Sequence, residues 1–119
     1  MSLVFVYGTL KRGGRNHACL AGQAFLGEAH TGPGFRLYAL DDYPGMVAVP
    51  DDRGGVSGEV WSVTPECLTR LDELEGLAEG LYRREPVSLQ PPFAGQAVET
   101  YLYARSVSGR PDLGSHWPV

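Results

Sequence analysis

Glu75 carries the first chemical possibility in this chain of 119 residues. Thr64-Pro65-Glu66 offers a helix cap, a proline at the first helical position and an acid in the first turn. Gly76 offers a stop, so a helix is predicted from Pro65 to about Glu75. With Leu68 set at zero and about 100° added per residue, Cys67, Leu71 and Leu74 fall at about 260°, 300° and 240°, and Glu75 at about 340°. Glu75 therefore shares the apolar face, between Leu68 and Leu71, whereas Glu73 at about 140° faces water and Asp72 at about 40° sits at the rim. A buried carboxylate is costly unless paired or protonated, and desolvation raises its pKa toward neutrality, where it can take and return a proton. That makes Glu75 a candidate general acid/base. The competing reading is a glutamate that turns outward at the frayed helix end to meet a backbone amide or Arg83.

The second feature is Tyr7-Gly8-Thr9-Leu10, where the apolar run Leu3-Val4-Phe5-Val6-Tyr7 meets a glycine turn. Backbone N–H groups left unpaired at such a turn can hold a carboxylate or another anion. No Gly-Lys-Ser/Thr follows and no GxGxxG is present, so the turn is not a nucleotide-phosphate loop. Its competing reading is an ordinary strand-to-loop turn.

The elements that must position these residues are mostly short strands. Gly 16 and Pro 9 among 119 residues imply many turns, while 43% hydrophobic and 20% charged residues match a globular domain with its own core. One domain spanning 1–119 is expected. Strands are predicted at Leu3–Tyr7, Ala24–Thr31, Phe35–Leu40, Met46–Val49, Val56–Val63, Leu81–Leu89 and Ala97–Ser106. Gly32-Pro33-Gly34 reads as a tight connection between the second and third of them. Asn16 to Gly22 reads as a short helix with an asparagine cap, and the tail, from about 107 and especially Gly109 to Val119, as irregular. The whole reads as a meander or barrel wall with flanking helices.

Several functions are disfavoured by composition. Nine Arg and one Lys stand against 14 Asp plus Glu, for a net charge of −4, so no basic excess exists to drive nucleic-acid binding. Lys11-Arg12-Gly13-Gly14-Arg15 is one short basic stretch in an acidic domain and reads as a solvated loop. The start has no basic n-region, and Tyr7-Gly8-Thr9 interrupts its apolar run, so neither a signal peptide nor a membrane span is expected and the location is expected to be cytoplasmic. Cys19 and Cys67 have no CxxC spacing and read as free, packed thiols. His17, His30 and His116 are scattered, which gives no metal site. The six tyrosines default to packing. Tyr82 and Tyr103 are candidates to line a pocket.

Together, Val4-Phe5-Val6-Tyr7-Gly8-Thr9-Leu10-Lys11-Arg12-Gly13 and Leu71-Asp72-Glu73-Leu74-Glu75-Gly76, with Tyr82-Arg83 beyond, resemble the γ-glutamylcyclotransferase-like (AIG2-like) family. The likeness continues through Asp42-Tyr43-Pro44-Gly45-Met46, Gly58-Glu59-Val60-Trp61 and Tyr101-Leu102-Tyr103, and the start is most similar to the γ-glutamylamine cyclotransferase branch. The resemblance implies a small α+β fold, a mixed barrel-like sheet with a few helices at its side and a pocket at the open end. It implies cyclisation of a γ-glutamyl amine or peptide to 5-oxoproline and a free amine or amino acid, with no metal or organic cofactor. By the same resemblance Tyr7, Gly8, Thr9 and Leu10 hold the γ-glutamyl group through backbone amides, Glu75 is the acid/base, and Tyr103 flanks the pocket, where Tyr82 is also a candidate substrate-binding residue. The expected partner is the small-molecule substrate, in a monomer or homodimer. A noncatalytic module that binds small carboxylates on the same fold is the alternative.

Overall fold

In the computed structural model, which describes residues 1–118, strand β1 (Ser2–Val6) lies between an antiparallel neighbour, β5 (Ser57–Val63), and a parallel one, β7 (Val98–Tyr103). Both faces of β1 are covered, which is why its sequence is a continuous apolar run. The period of two survives in which core each side chain enters: Val4 and Val6 join one buried cluster, Phe5 and Tyr7 the other.

The sheet continues from β7 through β4 (Pro44–Ala48) and β3 (Phe35–Ala39) to β8 (Asp112–Gly114), while β2 (Ala24–His30) covers the outer edge of β5. Strand β6 (Tyr82–Pro86) takes one edge of β7, so β1 and β4 share the other, β1 along Val98–Thr100 and β4 at Leu102. Beyond β8 the amide of Ser57 donates to the Ser115 carbonyl at 2.8 Å, which brings the far end of the sheet back to β5. The result is a curled mixed sheet, as the resemblance implied, and the described residues contain one α-helix, α1 (Pro65–Leu74). No helix among the described residues is long and apolar enough to cross a membrane.

Helix α1 starts as its sequence predicts. Thr64 Oγ1 accepts from the Cys67 amide at 3.1 Å, Pro65 follows, and Glu66 occupies the first turn. Cys67 and Leu71 are buried against the first core cluster. The helix ends at the cap residue Glu75, and Gly76, at φ +65°, takes the left-handed conformation that reverses the chain.

Three local expectations need correction. Gly32-Pro33-Gly34 does not join paired strands, since β2 pairs with β5 and β3 with β4 and β8. The amides that would close a hairpin turn outward, Gly32 to the Ser88 carbonyl and Gly34 to the Gly54 carbonyl. The expected helix after Asn16 is a single 3-10 turn, His17–Leu20, with no side-chain cap. Asn16 instead donates from Nδ2 to Thr9 Oγ1 at 3.0 Å. The tail is not wholly irregular: β8 pairs with β3, and Trp117 packs on the second core cluster. Val119, its last residue, lies outside the described residues.

Candidate active site

A cavity of about 280 Å³ opens where β1 ends while β4 and β7 run on. The turn residues Tyr7 to Leu10 form one wall, and Glu75, Tyr82 and Tyr101 contribute to the others. Tyr7 joins the diverging strands: its hydroxyl donates to the Tyr101 carbonyl at 2.6 Å and accepts the Met46 amide at 3.2 Å. The phenol thus stands in for a ladder contact between β7 and β4 and braces the wall from within.

Gly8 is required by a close approach, because a Cβ there would lie 2.6 Å from Pro44 Cγ. The turn is closed by Lys11 N to Gly8 O at 3.1 Å and by Asn16 N to Thr9 O at 3.0 Å. Nδ1 of His17 is 3.0 Å from the Leu10 carbonyl, which can only accept, so that nitrogen carries the hydrogen. Among the described residues the amides of Gly8, Thr9 and Leu10 have no acceptor. Three unpaired N–H groups on a cavity wall form a site for a carboxylate or an oxyanion.

What holds this loop in place is Glu59, part of the Gly58-Glu59-Val60-Trp61 stretch. Its buried carboxylate accepts from the Arg12 amide at 3.1 Å, Arg12 Nε at 3.0 Å and Trp61 Nε1 at 3.1 Å. Burial pushes its pKa up, but these bonds and the guanidinium charge outweigh burial and hold it below the ordinary value. Lys11 is also buried, donating to the Trp117 carbonyl at 2.6 Å, and burial lowers its pKa against the opposing pull of Glu59 and Glu28. Glu59→Ala strands the Arg12 amide and the Trp61 indole N–H, so it is expected to destabilise the fold by about 2–3 kcal/mol. Because the folded pKa is depressed, that contribution is present at neutral pH and is lost as pH falls through the folded pKa. Urea unfolding followed by tryptophan fluorescence at pH 7 checks it, and an unchanged midpoint would show that Glu59 does not anchor the loop.

Glu75 stays partly reachable through the mouth of the cavity while protein surrounds it elsewhere. Among the described residues its carboxyl group forms no hydrogen bond or ion pair, and Arg83, the alternative partner, pairs with Glu85 at 3.5 Å. Burial pushes the Glu75 pKa up to about 7, and the negative end of α1 acts in the same direction. Burial also raises the phenols of Tyr7, Tyr82 and Tyr101, which keeps them neutral. The cavity therefore holds a carboxyl group that exchanges protons at neutral pH beside walls that do not.

Tyr82 lines the cavity and donates to the Pro44 carbonyl at 2.8 Å. Tyr103 does not reach the lining. It stacks edge-on against Tyr82, with ring centroids 5.4 Å apart, and supports it from behind. Tyr101 takes the place expected of Tyr103, and its hydroxyl donates to Asp72 at 2.7 Å, tying the wall to the last turn of α1. The two tyrosines share a strand face, so parity could not separate them. The register does, pairing Tyr103 with Tyr82 and Tyr101 with Arg84. Arg15, Asn16, Tyr43 and Leu74 also line the cavity; loop closure brings the first three there, out of reach of local pattern, and Leu74 comes from the end of α1.

The curled sheet thus brings an isolated carboxyl group and a turn of unpaired amides into one cavity, and known proteins place this arrangement. Residues 4–118 match the family described as gamma-glutamyl cyclotransferase, AIG2-like. A Vibrio cholerae protein, provisionally named a gamma-glutamylcyclotransferase, is 39% identical over 112 residues, covering 94% of this chain and 92% of its own. The human gamma-glutamylaminecyclotransferase is 32% identical over 123 residues, covering 89% of this chain and 80% of its own. The crystal structure of an AIG2-like protein of Mus musculus superposes with a TM-score of 0.78 at 28% identity, over 98% of this chain and 89% of that one. The chain belongs to the gamma-glutamyl cyclotransferase, AIG2-like family, which is an enzyme family, in agreement with the resemblance read from its motifs.

Proposed function

We propose that this protein converts a γ-glutamyl amide to 5-oxoproline and a free amine or amino acid, with Glu75 as the general acid/base. The observation that carries this reading is an unpaired Glu75 carboxyl of pKa about 7 in the same cavity as the free amides of Gly8, Thr9 and Leu10. Ionised Glu75 takes a proton from the substrate α-ammonium. The freed amine attacks the γ-carbonyl carbon and closes a five-membered ring. As the scissile C–N bond breaks, Glu75 returns the proton to the departing nitrogen. The surplus proton on the ring nitrogen follows to the released amine, which leaves as an ammonium ion, so atoms and charge balance.

Nucleophile and electrophile belong to one molecule, so the protein has only to hold the folded conformer, which removes much of the orientational entropy from the barrier. The turn amides supply electrostatic stabilisation, either at the substrate carboxylate or at the oxyanion of the tetrahedral intermediate. The test is 5-oxoproline release from a panel of γ-glutamyl compounds, with Glu75→Gln beside the parent. Product from the parent alone supports the assignment. Ligand-induced melting shifts without product from any compound would favour the noncatalytic binding module instead.

The pH dependence follows from the same carboxyl. Because Glu75 must be ionised to accept a proton, kcat/KM is expected to rise with pH through about 7. Bound substrate sets an ammonium beside the carboxylate and favours its ionised form, so the rise in kcat is expected at lower pH. Steady-state rates between about pH 5 and pH 9 check both limbs, and a kcat/KM that is flat across neutrality would exclude Glu75 as the base.

A further inference from the structure

The exposed lining of the cavity differs in chemistry from its buried lining. Buried Tyr7, Leu10, Tyr82 and Tyr101 form its inner walls with the turn amides, whereas Arg15 and Leu74 are open to solvent, with side-chain exposure of 49% for Arg15 and residue exposure of 44% for Leu74. The helical pattern places Leu74 inward with Cys67 and Leu71. Instead it is open to solvent at the rim, and partly buried Leu81 and Tyr43 line the same cavity. Among the described residues Arg15 is the one cationic side chain in the lining. Lys11, nearby in sequence, is turned to the Trp117 carbonyl.

We propose that the leaving group is an apolar α-amino acid, its carboxylate held by Arg15 and its side chain laid on Leu74 and Leu81; this rests on the cyclisation reading above. The glutamyl head must reach Glu75 and the turn amides, which leaves the departing amine facing the rim. Arg15 already pairs with Asp42, Nη1 to Oδ2 at 2.5 Å and Nη2 to Oδ1 at 3.2 Å, across the loops on two sides of the mouth. Two of its five N–H donors are used there, and three remain for a second carboxylate. Arg36 shows that this chain tolerates such sharing, because its guanidinium holds both Asp52 and Asp112. Asp42 is not part of the lining, so Arg15 is the charge that this side of the cavity presents, and it favours an anionic leaving group over a cationic one. The apolar rim residues then select among amino acids by side-chain contact.

The test compares kcat/KM for γ-glutamyl-leucine, γ-glutamyl-leucinamide, γ-glutamyl-glycine and mono-γ-glutamyl-1,4-diaminobutane. Loss of one charge-assisted bond at a partly solvated site predicts about 10-fold for leucine over leucinamide. Loss of the isobutyl contact predicts about 10-fold for leucine over glycine. Arg15→Gln should bring the leucine-to-leucinamide ratio toward one and leave the leucine-to-glycine ratio, and Leu74→Ser should do the reverse. A diamine conjugate turned over as well as γ-glutamyl-leucine, or a carboxylate preference that survives Arg15→Gln, overturns the assignment. Calorimetric binding to Glu75→Gln separates the two readings. The same order in binding without turnover by the parent would sink the cyclisation and keep the rim. Turnover by the parent with no order in binding or rate would sink the rim alone.

Discussion

Glu75→Gln should lower 5-oxoproline turnover by about 10²–10⁴-fold, the range expected when a positioned acid/base is removed, and should make the protein more stable at alkaline pH. The two effects have one cause. The carboxyl has an ordinary value of 4.5 and titrates at about 7 in the fold, because burial opposes its charge. Below pH 4.5 it is protonated in both folded and unfolded chains and carries no penalty. Between pH 4.5 and about 7 the unfolded chain has ionised while burial makes the folded chain keep its proton, so stability falls across that window and levels off above it. The loss is on the order of 3 kcal/mol, and glutamine, which never ionises, avoids it. Melting curves of both proteins at about pH 5 and about pH 8.5 should show a gap of several degrees that opens only at the higher pH. A gap of equal size at both would mean that the carboxyl is not isolated. Activity at the expense of stability is expected where a catalytic group is held in an unfavourable state.

Gly14→Ala should have the second largest effect, through the opposite wall. A Cβ at Gly14 would lie 2.2 Å from the Thr9 carbonyl oxygen, 2.7 Å from its carbon and 2.9 Å from the Lys11 carbonyl oxygen. All three are backbone atoms and cannot swing aside as a side chain can. Thr9 O accepts the Asn16 amide, and Lys11 O accepts the amide of Gly14 itself, so the clash falls on the bonds that close the turn. Stability should drop by about 1–3 kcal/mol. Moving the Thr9 amide by about 1 Å should cost kcat/KM roughly 100-fold. The discriminating measurement is kcat/KM well below the variant's melting temperature. Full activity in a folded Gly14→Ala protein would show that Thr9 need not be held where it is.

Much of the site was legible from local patterns because its two halves are local structures. Thr64, Pro65 and Gly76 bound α1, and the helical period then sets Glu75 apart from Glu73. The run from Val4 to Tyr7 announces a covered strand, and Gly8 announces where it stops. Even so, the helical period sets Leu74 beside Cys67 and Leu71, whereas in the fold it is 44% exposed and lines the cavity, a placement that periodicity alone does not give. Glu59 shows the other limit. Its stretch was noticeable as a motif, yet nothing nearby in sequence says that its carboxylate caps the Arg12 amide.

Short-range signals, namely the spacing of apolar residues, caps, prolines and glycines, determined that this chain makes short strands and one principal helix, and that Glu75 faces inward. Tertiary structure alone decided the sheet order, the shape of the mouth and which tyrosine lines the cavity. The contacts responsible lie far apart along the chain: 94 residues separate Tyr7 from Tyr101, 106 separate Lys11 from Trp117, and 47 separate Arg12 from Glu59. Each is a buried polar group meeting the partner that burial obliges it to find. Local periodicity states that such a group must be satisfied, and the closure of the sheet chooses by what.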